Sequence, residues 1–197
     1  MPEIIILISL SIIFVIILRK LPKVEIESKS NHEANSVLRG ETETDNIEIL
    51  ENQIENCLVT KDYGRAETIC LDLITKKPHS GEYYAQLGNI YLMIKNFEDA
   101  KEAFLEAVKY DSDNGLWYNN LGLTFFNLKQ FGKAIGAYNR AIEIDPKIAG
   151  RYVNLGLVYL SLGNRKKARE YFRQAVNLEP SNSKYRKLYS RTEGTRV

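Results

Sequence analysis

Few side chains in this sequence could carry out covalent or metal chemistry. Two cysteines and two histidines among 197 residues are too few for a disulfide framework or a zinc site. His32 and His79 each stand alone, and Gly-x-Ser-x-Gly, a phosphate-binding loop, His-Glu-x-x-His and Cys-x-x-Cys are all absent. The many Asp and Glu residues fall at turns and predicted helix starts, where capping and dipole interactions account for them. Neither an enzymatic activity nor a cofactor is expected, and recognition chemistry is what remains. Side-chain amides, plentiful as asparagine, carry both donors and an acceptor and can pair with the backbone of an extended peptide. The basic run Arg165, Lys166, Lys167, Arg169 and Arg173 could meet anionic lipid headgroups or RNA. No aromatic base platform or nucleic-acid motif accompanies it, so a solvated helix face ranks first, lipid second and nucleic acid last.

The elements that must position these side chains recur at a fixed interval. Tyr84-Ala85-Gln86-Leu87-Gly88-Asn89-Ile90-Tyr91, Tyr118-Asn119-Asn120-Leu121-Gly122-Leu123-Thr124-Phe125 and Tyr152-Val153-Asn154-Leu155-Gly156-Leu157-Val158-Tyr159 each begin 34 residues after the last. Twelve residues beyond each glycine stands Ala100, Ala134 or Ala168, then Phe104, Tyr138 or Phe172, then Ala107, Ala141 or Ala175. Apolar residues recur at i, i+3, i+4 and i+7, which predicts two short amphipathic helices per unit. Lys95-Asn96, Lys129-Gln130 and Gly163-Asn164 supply the turn inside each unit, and Pro146 and Pro180 end two of the units. Gly88, Gly122 and Gly156 are expected to face Ala100, Ala134 and Ala168, and Gly136 has no evident packing role.

A 34-residue period with this pattern resembles the tetratricopeptide repeat family. The resemblance implies an all-α fold, a right-handed superhelical array of helix-turn-helix repeats (an α-solenoid), in units 81–114, 115–148 and 149–182. It also implies a concave groove lined by first helices that holds a protein or peptide partner. Carried over by position, that groove contains Glu82, Ala85, Gln86, Asn89, Leu92 and Met93 of the first regular unit. The next unit gives Leu116, Asn119, Asn120, Leu123, Phe126 and Asn127, and the last gives Gly150, Val153, Asn154, Leu157, Leu160 and Ser161. Family members that grip the C-terminal carboxylate of heat-shock chaperones use two asparagines with two or three cations. Asn89 and Asn120 fit the asparagine positions, but Ala85, Gly150 and Asn154 stand at the cationic ones, so that ligand class is not expected.

The ends differ from the middle. Ile4–Leu18 is apolar except for Ser9 and Ser11 and is followed by Arg19, Lys20 and Lys23. Residues 1–22 are therefore read as a single transmembrane anchor, with the positive flank holding the C-terminal side in the cytoplasm. Residues 23–46 read as a flexible acidic tether. Val24–Asn56 carries nine acids against two bases, while Lys147–Val197 carries twelve bases against three acids. Residues 47–80 continue the frame as a degenerate unit with Ile54 where later units have glycine. Its Cys57 and Cys70 fall on core positions and are expected to stay reduced. Residues 183–191 predict a capping helix, polar outward through Lys184, Arg186, Lys187 and Arg191. The resulting expectation is a membrane-tethered interaction scaffold. The alternatives are a structural subunit that self-associates through the array in a membrane-associated assembly, or an extracytoplasmic assembly factor whose anchor inserts the other way.

Overall fold

The computed structural model describes residues 43–192, and everything described is helix or turn. The helices are α1 Glu43–Thr60, α2 Tyr63–Lys76, α3 Gly81–Met93, α4 Phe97–Tyr110, α5 Gly115–Asn127, α6 Phe131–Ile144, α7 Ala149–Ser161, α8 Arg165–Leu178 and α9 Ser183–Thr192. Residues 49–192 belong to one compact unit. Helix α1 starts four residues inside the stretch read as tether. The proposed anchor Ile4–Leu18 and most of the tether lie outside the described residues. Among the described residues, no helix is long and apolar enough to cross a membrane.

Every first helix ends in the same way. The Asp62, Asn96, Gln130 and Asn164 amides reach back five residues to the carbonyls of Cys57, Tyr91, Phe125 and Tyr159, at 2.8–2.9 Å. That bond closes a Schellman turn and needs a left-handed residue just before the donor. Lys61, Lys95 and Lys129 supply it at φ of 58–60°, and Gly163 at 75°. The next residue then starts the second helix. Asp62, Asn96 and Asn164 each accept a backbone N–H through the side chain, and Gln130 does not.

Between paired helices the expectation about glycine needs correction. The atoms nearest Gly88, Gly122 and Gly156 belong to the rings of Phe104, Tyr138 and Phe172 rather than to the alanines. A Cβ there would stand 2.9, 2.8 and 2.6 Å from those rings. The ring is too bulky to share that level of the helix pair with any side chain at all. In the degenerate unit the equivalent pair is Ile54 and Cys70, both buried. Bulk has moved from the second helix to the first, which keeps the volume similar. Gly136 has nothing within 4 Å of a built Cβ, so no close approach requires it.

Successive units are joined by the third residue of each first helix. Trp117 packs over Gly81 and blocks any side chain there, and the Tyr83 hydroxyl donates to the Glu51 carboxylate at 2.7 Å. In α7 that place is taken by Arg151, only 8% exposed. Its guanidinium lies over Gly115 and donates to the carbonyls of Ala141 at 2.6 Å and Asp145 at 2.8 Å. It thereby gives the Asp145 carbonyl a donor and adds a second one to the Ala141 carbonyl, which also accepts the Asp145 amide at 3.2 Å.

Candidate functional site: an asparagine ladder on the first-helix face

Helices α3, α5 and α7 lie side by side, and their asparagines are bonded to one another across the repeats. Asn154 Nδ2 donates to Asn119 Oδ1 at 2.9 Å, Asn119 Nδ2 to Asn120 Oδ1 at 3.3 Å, and Asn120 Nδ2 to Asn89 Oδ1 at 2.9 Å. Four amides thus form one head-to-tail chain over three units. Each NH2 still has a second proton and each carbonyl a second lone pair. The ladder is aligned by its own bonds and retains capacity for a ligand.

Apolar side chains stand beside it. Met93 is 63% exposed and Leu116 58%, with Leu123 and Leu160 also exposed and Leu157 half-buried. Phe126 is half-buried, its ring 5.8 Å from that of Phe131 and tilted to it. Asn127 spends a donor on its own helix, bonding the Leu123 carbonyl at 2.8 Å. Gln86 is half-buried, and its Oε1 is enclosed with no hydrogen-bond partner. Two residues placed in the groove by position are corrected: Ala85 and Val153 are buried rather than open to a ligand, Val153 in a cluster with Ala168, Phe172 and Ala175 of α8. The signal for that was their size, since small or branched apolar residues alternate there with Asn119. Sequence reasoning did not find the asparagine-to-asparagine bonds, because they join the fifth, sixth and ninth positions of different units.

Elsewhere, Arg165, Lys166, Lys167 and Arg169 all lie exposed on α8. Lys167 Nζ sits 5.0 Å from the Tyr159 ring centre, and the Arg169 guanidinium 5.2 Å from that of Tyr189. Cys57 and Cys70 are buried and unbridged. Burial, reinforced by the Glu67 carboxylate, pushes the Cys70 thiol up to about 12, which leaves it unreactive near neutrality. Among the described residues, no group of three or more His, Cys, Asp and Glu side chains could hold a metal ion.

Comparison with known proteins gives the class. Models described as Tetratricopeptide repeat match residues 81–114, 116–148 and 149–182, together more than half of the chain. The chain belongs to the tetratricopeptide repeat family. No curated protein matches it. Among solved structures it is similar to a crystal structure of MamA protein, with 25% identity and a TM-score of 0.70 over 76% of this chain and 81% of that one. It is also similar to the Arabidopsis OM64 TPR domain, with 29% identity and a TM-score of 0.56 over 58% of this chain and 94% of that one. The first TPR of Spaghetti bound to an HSP90 peptide aligns with a TM-score of 0.56 over 58% of this chain and 90% of that one. At 19% identity, that last likeness shows the fold alone.

Proposed function

We propose that the chain is a membrane-tethered scaffold that holds an extended, largely uncharged segment of a partner protein along α3, α5 and α7. The observation that carries this reading is the asparagine ladder flanked by exposed Met93, Leu116 and Leu123. Aligned amides offer pairing to a peptide backbone, and the apolar side chains offer burial to alternate residues of it. Binding of peptides by family members supports a protein partner, and the lack of cations beside Asn89 and Asn120 disfavours one that ends in a gripped carboxylate. The tether, with the repeats facing the cytoplasm, rests on Ile4–Leu18 and the Arg19, Lys20, Lys23 flank.

A photoreactive probe at Asn120 in cells tests the reading directly. One dominant adduct with another protein is expected. Adducts of the chain with itself alone would replace the scaffold by a self-assembling subunit. Asn120→Ala with Asn154→Ala should weaken binding of the captured partner about thirtyfold, from two lost hydrogen bonds at about 1 kcal/mol each. Unchanged affinity by calorimetry would remove the ladder from the site. A reporter fused at Val197 decides orientation: activity only on the outer side would overturn the cytoplasmic placement.

A further inference from the structure

The turns inside the repeats share a surface feature that the groove does not use. The Asn89–Asn120 and Asn119–Asn154 bonds tie α3, α5 and α7 side by side, and the Tyr83–Glu51 bond ties α1 to α3, so the C-terminal ends of the first helices fall along one edge of the array. At three of the four ends the left-handed residue is an exposed lysine: Lys61, Lys95 and Lys129. A residue with a Cβ is strained there relative to glycine, so folding alone gives no reason for lysine. The fourth end has Gly163. There the cations move to Arg165, Lys166 and Lys167, in the first turn of α8, where the helix dipole opposes positive charge.

Exposed apolar side chains stand at the same ends. Val59 is 82% exposed, Ile94 42% and Leu162 49%, beside Met93 and Leu160. The acids on this edge, Asp62, Glu98 and Asp99, sit in or beside the caps of α2 and α4, and Asp62 spends its carboxylate on the Arg65 amide. The edge therefore offers apolar tips within a cationic surround.

We infer that this edge is a membrane-contact surface that lies on an anionic phospholipid bilayer. Lysines and arginines meet headgroup phosphates there, and Val59, Ile94 and Leu162 enter the acyl boundary. A nucleic acid or an acidic peptide would satisfy the cations but give the apolar tips no reason to leave water. The inference does not depend on the groove having a ligand, and it concerns a surface separate from Ile4–Leu18.

An environment-sensitive fluorophore tests it in the full chain reconstituted into vesicles. Cys57 and Cys70 are buried, so labelling is directed to an introduced thiol. Ile94→Cys and Leu162→Cys report on the edge, and Ser181→Cys reports on the turn before α9, at the other edge. On vesicles containing phosphatidylglycerol, emission from the two edge sites should brighten and shift to the blue, weakening with added salt, while that from Ser181→Cys stays unchanged. Arg165→Glu with Lys166→Glu should abolish the Leu162→Cys response while raising the melting temperature, because acids suit a helix N-terminus. That opposite pair of effects separates lost contact from lost folding. The inference is overturned by silent edge sites, by an equal response at Ser181→Cys, or by an equal response on pure phosphatidylcholine. It is equally overturned if a soluble oligonucleotide or polyglutamate gives the same response without vesicles.

Discussion

Arg151 shows how one side chain can join two repeats. Three other first helices place Tyr83, Trp117 or Tyr185 at the same position, and aromatic burial suffices for them. Arg151 fills the volume with its guanidinium and pairs with the two carbonyls that close α6. Arg151→Leu keeps much of the bulk but leaves the Asp145 carbonyl without its donor and the Ala141 carbonyl with the Asp145 amide alone, at an expected cost of about 2–3 kcal/mol. Urea melts with an unchanged slope would register it, and a loss below the scatter of the melt would mean that water replaces the guanidinium. At Gly122 the argument is steric. Even a methyl group would press on the Tyr138 ring, so Gly122→Ala should cost about 1–3 kcal/mol and Gly122→Leu should unpack that unit. Thermal melting of either variant at the wild-type temperature would contradict the packing described.

At the scale of the element, the four intra-repeat turns form a natural series, with one backbone geometry and different side chains. Gln130 is the weak member: it caps α6 without a side-chain bond, and its Oε1 is enclosed without a partner. Gln130→Asn brings the carbonyl within reach of the α6 amides and should add about 0.5–1 kcal/mol. Lys95→Gly should add a similar amount by relieving the left-handed strain. Both gains are measured as shifts in melting temperature. The helices and their turns were legible in the sequence because a 34-residue period repeats the same apolar spacing and the same breakers. The ring that covers each glycine was not, since spacing says which residues face inward but not which of two inward levels they meet. The asparagines were legible as a polar column. Their mutual bonds depend on a rotation between neighbouring first helices that no single repeat encodes. Arg151 did give a signal, a charge in an otherwise aromatic column.

For the whole molecule, the buried titrating groups set a limit at high pH. Burial raises the Cys70 thiol and, foremost among their causes, the phenols of Tyr91 and Tyr138. Each holds its proton more tightly folded than unfolded. The stability they contribute is therefore intact below the unfolded values, about 8.5 for a thiol and 10 for a phenol, and declines as pH rises toward the folded ones. The melting temperature should be level from about pH 6 to 8 and fall above about 9; a flat profile to about pH 11 would contradict the burial. Stability is also expected to run down toward the C-terminus, because α9 has no buried residue while each helix from α2 to α8 does. Amide exchange should open α9 first.

The asparagine ladder also has a sense. The donors all point one way along the row, from Asn154 through Asn119 and Asn120 to Asn89. Turning any one amide over would set donor against donor or acceptor against acceptor, so the four can reverse only together. One end of the row therefore presents a free amino group at Asn89 and the other a free carbonyl at Asn154. A strand laid along the helices meets opposite polarity at its two ends, and lying head-first is not equivalent to lying tail-first.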